Sequence, residues 1–319
     1  MKILITGVHG FVGSNLVKEL SKDNLIYGLD IISQIKEGVR FTFSWDFLDK
    51  PGEIPEIDAI IHLAGKAHDT KNQSAAEVYF KVNTGLTQKI FDWFLKQPKC
   101  KKFVFFSTAK AAADTVEGVL TEDVVPAPVG PYGESKIKAE RYIWDTLETW
   151  NLKPETTPKD VYIFRPCMIH GPGNKGNLNL LYNVVKKGIP WPLGAFENRR
   201  TFTSVDNICF AVNGVLTKDV PSGIYNMGDD DALSTNELIE EICKSLGKKA
   251  HIWKLPKGLM NGVAKIGGAL HLPLNPERLR KLTENYISSN AKIKNALGVE
   301  KLPVDARSGL QATLKSFQG

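Results

Sequence analysis

Cysteine is scarce in this sequence, and the few cysteines lie far apart. The 319 residues include four, at Cys100, Cys167, Cys209 and Cys243. None belongs to a Cys-x-x-Cys pair, and no Cys/His cluster has the spacing of a zinc site. This pattern argues against a disulfide-rich scaffold and against a metal site, and it favours free thiols in a reducing compartment.

Long apolar runs and long basic runs are also missing. No stretch reaches the roughly 18 apolar residues of a membrane-spanning helix, so we expect no integral membrane segment. The chain starts on the strand-like run Ile3–Ile5, without the charged start and apolar centre of a signal peptide, which predicts a cytoplasmic protein. The net charge of +6 comes without a long Lys/Arg run, which argues against a nucleic-acid partner and suits an anionic small molecule.

Short apolar segments alternate with helical patterns through the first half of the chain. The segments are rich in β-branched and aromatic residues, as in strands covered on both faces. They are Lys2–Thr6, Leu25–Asp30, Phe41–Trp45, Ala59–Ala64, Phe103–Ser107 and Val161–Arg165. Helical patterns occupy Phe11–Lys22, Val78–Lys96 and Tyr132–Thr149. This rhythm predicts an α/β fold with a Rossmann-type doubly wound parallel sheet, whose ligands bind at the carboxyl ends of the strands.

The rhythm changes after Arg165, where glycine and proline become frequent. We predict an NAD(P)-binding domain over residues 1–165, with a return segment near 203–226. Residues 166–319 then form mainly a smaller α/β substrate lobe. In that lobe Ser234 and Glu237 have the spacing of a capping box, which starts a helix that runs to about Leu246. The apolar, glycine-rich stretch 255–273 is expected to pack within the lobe; the alternative is a membrane-touching or partner-binding patch.

A glycine-rich turn follows the first predicted strand directly. Gly7, Gly10 and Gly13 allow a tight turn and let backbone N–H groups approach a pyrophosphate. Phe11 and Val12 open the next helix, which presents its positive end to that phosphate. The position between a strand and a helix favours a dinucleotide site over a plain tight turn.

Two carboxylates near the next strand ends are candidates for cofactor contacts. Asp30 can accept both ribose hydroxyls of NAD and would repel the 2′-phosphate of NADP, so NAD is favoured while NADP stays open. Asp46, with its neighbour Phe47, follows the third strand and is a candidate for contact with the adenine. The alternative for either aspartate is an ordinary solvated loop residue.

Tyr132 and Lys136 are four residues apart and share one face if the segment is helical. A lysine ammonium a few ångströms away would favour the phenolate, which predicts a lowered tyrosine pKa and acid–base work on a sugar oxygen. Ser107 and Thr108 end the fifth strand, where a hydroxyl can bond the same oxygen. The alternatives are a surface pair for the first motif and a local cap for the second.

Taken together, these motifs resemble the extended short-chain dehydrogenases/reductases, the nucleotide-sugar epimerases, dehydratases and reductases. The order of the glycine turn, Asp30, the His62–Gly65 strand end, the tyrosine–lysine pair and Arg165-Pro166 follows that family along essentially the whole chain. The resemblance implies Thr108, Tyr132 and Lys136 as the catalytic set. It also implies NAD contacts from Leu63, Ala64, Gly65, Tyr132, Lys136 and Pro166, and a mainly structural Asn83.

The second half resembles the subgroup that reduces the 4-keto group of UDP-linked 6-deoxy-N-acetylhexosamines. By position, Arg200 matches the arginine that holds the diphosphate, and a guanidinium can grip two phosphate oxygens. Lys175, Asn177 and Arg280 are further candidates for contact with the UDP-sugar. The family often pairs through two helices of the large domain, which implies a homodimer by analogy.

Two departures from the family pattern bear on the reaction. Met168 stands where galactose-type epimerases carry an asparagine, and Lys110 follows Ala109 where 4,6-dehydratases place Asp-Glu after the threonine. A 4-epimerase uses the same catalytic residues and remains the closest alternative to a reductase. A non-catalytic dinucleotide sensor is the alternative from another class, although both tyrosine and lysine are present. His68 and His170, near strand ends, are expected to be packed or solvent-facing rather than catalytic.

Overall fold

Seven parallel strands form the central sheet of the computed structural model, which describes residues 1–50, 55–66, 75–174, 176–270 and 274–318. The strands of the chain are β1 (Lys2–Thr6), β2 (Leu25–Leu29), β3 (Val39–Phe43), β4 (Ala59–His62), β5 (Lys102–Phe106), β6 (Val119–Leu120), β7 (Asp160–Pro166), β8 (Met168–His170), β9 (Phe202–Ser204), β10 (Gly223–Met227) and β11 (Ile287–Ser288). The main sheet has the order β10-β7-β5-β4-β1-β2-β3. The strand order reverses between β1 and β4, and in such sheets ligands bind at that crevice.

Helices cover both faces of this sheet and build the second lobe. They are α1 (Phe11–Leu20), α2 (Ala76–Tyr79), α3 (Leu86–Leu95), α4 (Ala109–Ala112), α5 (Pro131–Asn151), α6 (Asn177–Lys186), α7 (Val205–Thr217), α8 (Thr235–Ser245), α9 (Lys257–Ala269), α10 (Pro276–Thr283), α11 (Ala291–Leu297) and α12 (Ala306–Ser316). A 3-10 turn spans Trp45–Asp49 and a π-helical turn spans Phe80–Gly85. The doubly wound α/β fold predicted from the sequence is confirmed.

Alternate residues of β1 point into two different apolar layers, as the period of a strand requires. Ile3 and Ile5 join a core with α1 and α7, whereas Leu4 joins the core on the other face with α3 and α5. All three are fully buried. β10 adds to the edge of the main sheet beside β7, so chain beyond residue 166 returns to the large domain.

Most predicted segment bounds shift by one or two residues, and two of the differences have a clear structural cause. Residues 44 and 45 were predicted to end the third strand, but they lie outside it because the chain turns into the 3-10 segment. The predicted helix Val78–Lys96 is interrupted by the π-helical turn, which holds Asn83 against Ser135 of α5, with Nδ2 donating to Oγ over 2.9 Å. Neither change moves a predicted site residue away from the strand ends.

The second lobe has its own apolar core, built from α6, α8, α9, α10 and α12. Ser234 and Glu237 form the predicted capping box at the start of α8, and Gly247 follows with a φ of +65°. Within the described ranges, no helix combines the length and the apolar character needed to cross a membrane.

Candidate active site

The glycine turn between β1 and α1 forms a cradle for phosphate. Gly7 has a φ of +73°, which disfavours other residues. A Cβ at Gly13 would lie 2.2 Å from the Gly7 carbonyl oxygen, so the two turns of backbone pack too closely for a side chain. Gly10 caps α1 without a side-chain hydrogen bond, so its first N–H groups remain available to an anion. This cradle fits the pyrophosphate of a dinucleotide, with Phe11 and Val12 in the first helical turn.

Asp30 follows β2 at the same edge and lies beside the glycine turn. Its carboxylate accepts N–H groups from His9 over 3.1 Å and from Ile31 over 2.7 Å. The His9 Nδ1 atom lies 3.2 Å from Asp30 Oδ2. His9 was not singled out from the sequence, and its position inside the glycine motif was the available signal. The aspartate is therefore held by the turn itself, in the position expected for a ribose contact.

Asp46 and Phe47 lie in the 3-10 turn after β3, and their side chains point to different surroundings. The Asp46 side chain is exposed, which leaves it available to a ligand. The Phe47 ring is buried and stacks on Phe43 with 4.1 Å between ring centroids. Phe47 is thus a core residue by its side chain, and its N–H already donates to the Ser44 carbonyl.

The end of β4 forms the opposite wall of the crevice. The N–H groups of Leu63 and Ala64 both donate to Thr6 Oγ1, which fixes the chain as it leaves the sheet. A Cβ at Gly65 would lie 3.0 Å from Asn83 Oδ1 and 3.2 Å from Lys136 Nζ, so a side chain there would crowd both groups. The predicted segment Leu63–Gly65 therefore reaches the predicted catalytic lysine.

Thr108 and Tyr132 are joined by a side-chain hydrogen bond, so the fold brings these two predicted residues together. Thr108 caps α4 and is buried, while Tyr132 lies in the first turn of α5. Burial raises the pKa of Tyr132, and the bond from Thr108 opposes that rise. The lowered tyrosine pKa predicted from the spacing is therefore wrong for the protein alone, because removal from water disfavours the phenolate.

Lys136 is buried one turn further along α5. Its Nζ donates to the Phe106 carbonyl oxygen over 2.7 Å and lies 4.8 Å from the centroid of the Phe105 ring. Burial lowers its pKa to about 8, and the negative charge of Glu140 opposes that change. The ammonium is thus fixed at the end of β5, beside Gly65.

A buried hydrogen-bond network next to Lys136 was not predicted from the sequence. Ser107 Oγ donates to Glu140, and Arg165 donates to the same carboxylate from Nε over 3.1 Å and from Nη2 over 2.5 Å. Glu140 and Arg165 are each 1% exposed. The available signal was spacing, because Glu140 lies four residues after Lys136 on the same face of α5.

The two arginines predicted for the diphosphate lie close together at α10. Arg280 Nη2 lies 3.3 Å from Asp114 Oδ2, just after α4, and Arg280 Nη1 lies 3.4 Å from Glu284. Arg200 donates to the Lys281 carbonyl oxygen, and burial lowers its pKa. Both guanidinium groups are therefore engaged by protein groups, with Arg280 linked to the helix that Thr108 caps.

The remaining predicted residues have varied positions. Pro166 ends β7, and Asn177 begins α6 with an exposed side chain. Lys175 and His68 lie outside the described residues. His170 is a packed histidine, with Nδ1 2.9 Å from Thr313 Oγ1 and Nε2 3.3 Å from Asp229.

Neither metal ligands nor disulfides contribute to this site in the part of the chain that the structure describes. All four cysteines are free thiols. Burial raises the pKa of three of them to about 12, which keeps these thiols protonated.

Comparison with known proteins agrees with this geometry. The sequence profile of the NAD dependent epimerase/dehydratase family matches residues 3–228, which include the glycine turn, Asp30, Tyr132 and Lys136. The chain belongs to this family. NAD, the cofactor predicted from Asp30 and the glycine turn, is the cofactor of the family.

Similar proteins act on sugars joined to a diphosphate. A UDP-glucose 4-epimerase of Vibrio cholerae is 31% identical over 271 residues, covering 80% of this chain and 78% of the relative. An N-acetyl-α-D-glucosaminyl-diphospho-ditrans,octacis-undecaprenol 4-epimerase of Escherichia coli O157:H7 is 28% identical over 325 residues, covering 98% and 94%. The solved structure of MoeE5 with UDP-glucose and NAD has a TM-score of 0.77 at 20% identity, covering 100% and 99%, and it supports the fold alone.

Proposed function

We propose that this protein transfers hydride between NAD and C4 of a sugar carried by UDP, as the reductase of a UDP-4-keto-6-deoxy-N-acetylhexosamine. The observation that carries the proposal is the assembly of Thr108, Tyr132 and Lys136 at the edge of the sheet beside the glycine turn. Bound NADH supplies the hydride. The glycine cradle, Asp30 and the end of β4 are the groups that would hold it.

Tyr132 is the proton donor in this proposal. As the 4-keto carbon is reduced, the Tyr132 hydroxyl gives its proton to the C4 oxygen, and the product is the 4-hydroxy sugar. Thr108, already bonded to the tyrosine, donates to the same oxygen and orients it. The Lys136 ammonium, fixed one helical turn away by the Phe106 carbonyl oxygen, would bind the ribose of the nicotinamide.

The two arginines support a diphosphate-linked substrate. Arg280 lies beside Asp114, which follows α4, and Arg200 is partly buried beside the Lys281 carbonyl group, so two positive groups lie at α10. Guanidinium groups bind phosphate oxygens in a bidentate manner. UDP is the proposed carrier because the resemblance implies it and because a relative named as a UDP-glucose 4-epimerase covers most of the chain.

The first test follows NADH absorbance after the purified protein is mixed with the UDP-4-keto-6-deoxy sugar. Stoichiometric loss of NADH is expected. Tyr132→Phe should lower kcat by about 10²- to 10⁴-fold with an unchanged Kd for NADH, because only the transferable proton is removed. The matched control is Tyr142→Phe on the same helix, whose hydroxyl bonds Asp92. Turnover by Tyr132→Phe equal to that of the control would contradict the assignment.

A 4-epimerase is the second candidate, and the two epimerase relatives favour it. Such an enzyme would use the same three residues but would oxidise C4 and reduce it again from the other face. Protein that is purified with NAD bound, interconverts UDP-hexoses and shows no net NADH loss would support this candidate over the reductase. Cofactor binding without turnover of either kind would instead indicate a dinucleotide sensor.

We further propose a homodimer and a reducing, cytoplasmic location. The first is implied by the family resemblance, and the second is supported by the four free, mostly buried thiols. Light scattering on the purified protein distinguishes a monomer from a dimer. Thiol titration of protein prepared without reductant tests whether the cysteines stay reduced.

A further inference from the structure

Helix α9 lies on the surface of the second lobe and is buried along one side only. Met260, Ala264 and Gly267 face the core of the lobe. The same helix packs against α10, which carries Arg280. These contacts fix α9 to the protein and leave its outer side open.

Four large apolar side chains form a stripe along the open side of α9 and its C-terminal cap, and we call it the α9 stripe. Its members, with their exposed fractions, are Leu259 at 54%, Val263 at 43%, Ile266 at 61% and Leu270 at 64%. Their spacing of four, three and four residues places them within about 60° around the helix axis, at 3.6 residues per turn. A contiguous exposed apolar patch of this kind indicates a surface that contacts something else.

The chain segment that contains the α9 stripe carries charges of a single sign. Residues 242–276 contain six lysines and no aspartate or glutamate. The whole chain has 41 basic and 35 acidic residues, an excess of six, so the rest of the chain is balanced. The lysines are Lys244, Lys248, Lys249, Lys254, Lys257 and Lys265, and all six are exposed. The positive excess of the protein therefore lies in the segment that contains the stripe.

We propose that α9 docks this protein on the surface of an anionic lipid bilayer. The α9 stripe enters the boundary between headgroups and acyl chains, and the flanking lysines contact anionic headgroups. Trp253, four residues before the helix, is 54% exposed, and tryptophan is enriched at membrane interfaces. With only 13 residues, α9 is too short to span a bilayer, so it lies along the surface.

Charge also distinguishes a membrane from a second copy of the chain. Pairing of two α9 stripes face to face would bring together two copies of this lysine-rich segment, and like charges oppose such contact. An anionic surface complements the lysines and the apolar stripe at once. Membrane docking does not rest on the proposed reaction, because binding to lipid is measured without turnover.

The test is flotation of the full-length protein with vesicles of phosphatidylcholine alone or mixed with phosphatidylglycerol. Binding is expected on the mixed vesicles and should weaken as salt is added. Leu259→Gln/Ile266→Gln should weaken it about tenfold or more, since two apolar side chains no longer enter the bilayer. The matched control is Leu25→Gln/Leu152→Gln, which changes two exposed leucines of the large domain.

A second pair of variants tests the charge. Lys254→Gln/Lys265→Gln should weaken binding to mixed vesicles by about 25-fold, from roughly fivefold per lysine near an anionic surface. Lys96→Gln/Lys153→Gln, at exposed lysines outside the segment, should leave it unchanged. Activity on a water-soluble UDP-sugar should be the same in all these variants, which separates docking from catalysis.

Two results would overturn the proposal. One is equal flotation of the α9 variants and their controls, or no flotation of the wild-type protein at all. The other is a dimer that Leu259→Gln/Ile266→Gln converts to monomer without lipid present, which would assign the α9 stripe to a second copy.

Discussion

Replacement of Glu140 by glutamine should destabilise the protein strongly while leaving its shape almost unchanged. The carboxylate accepts from Ser107 and receives two hydrogen bonds from Arg165 at 3.1 and 2.5 Å. Glutamine keeps one oxygen acceptor but removes the charge. The guanidinium, 1% exposed and with Nη1 already lacking a partner among the described residues, is then a buried charge without a counter-ion.

The expected cost is about 3–5 kcal/mol, the usual range when one partner of a buried ion pair is removed. This is a large fraction of the about 5–15 kcal/mol that separates folded from unfolded domains. Urea unfolding followed by circular dichroism measures it as a lower midpoint with an unchanged slope. Glu148→Gln, at an exposed position of the same helix, is the matched control and should stay within about 0.5 kcal/mol of wild type.

A double variant separates the charge from the packing. Glu140→Gln/Arg165→Met removes the guanidinium as well, keeps an acceptor for Ser107, and should recover about 2 kcal/mol or more of the loss. The charge of Glu140 also raises the pKa of Lys136, so Glu140→Gln should lower that pKa below about 8 and shift the pH profile of turnover accordingly. A cost below about 1 kcal/mol, or no recovery in the double variant, would refute a buried charge pair as the cause.

Three further changes test other parts of the site. Lys136 has a pKa near 8 when folded and 10.5 as an ordinary lysine, so the unfolded chain binds more protons between these values. The unfolding free energy of wild type relative to Lys136→Met should therefore rise by up to about 3 kcal/mol from pH 8 to 10.5. The buried thiols change the unfolding free energy in the opposite direction, but they do so in both proteins and cancel in the difference. A difference that does not change with pH would contradict the lowered pKa of Lys136. Gly13→Ala should cost about 1–3 kcal/mol of unfolding free energy and weaken NAD binding, since its Cβ would lie 2.2 Å from a carbonyl oxygen. Gly262→Ala, with open space around it, should be neutral or stabilising, and urea unfolding with calorimetric titration of NAD measures both variants. Asp30→Ser should lower the affinity for NADH relative to NADPH by about tenfold or more in fluorescence titrations, because a charged acceptor of ribose is lost; an unchanged ratio would show that Asp30 does not select the cofactor.

Much of the cofactor site could be predicted from the sequence because its determinants are local. The glycine turn depends on positive φ at Gly7 and on the missing Cβ at Gly13, and both requirements can be recognised in a seven-residue segment. The spacing of Tyr132 and Lys136 places them on one face of any helix. The capping box at Ser234 is equally local, and the structure contains it.

The pKa values of the same residues could not be predicted from the local sequence. Spacing predicted that Lys136 would lower the pKa of Tyr132, but burial raises it and the lysine Nζ donates to Phe106 instead. Desolvation depends on everything packed around a group, which a four-residue motif does not contain. The pairing of Glu140 with Arg165 joins residues 25 positions apart and likewise depends on how α5 packs on β7.

The sequence by itself determined the fold class and the glycine cradle, and it singled out the candidate catalytic residues, because backbone geometry and side-chain period are set by nearby residues. Only the tertiary structure decided which charges are buried, which arginines are already engaged, and which side of α9 stays open. Periodicity shows that Leu259, Val263 and Ile266 share a face, but burial of a face depends on the neighbouring elements. The six lysines of the same segment bear on membrane binding only because the stripe is exposed, which the sequence does not show.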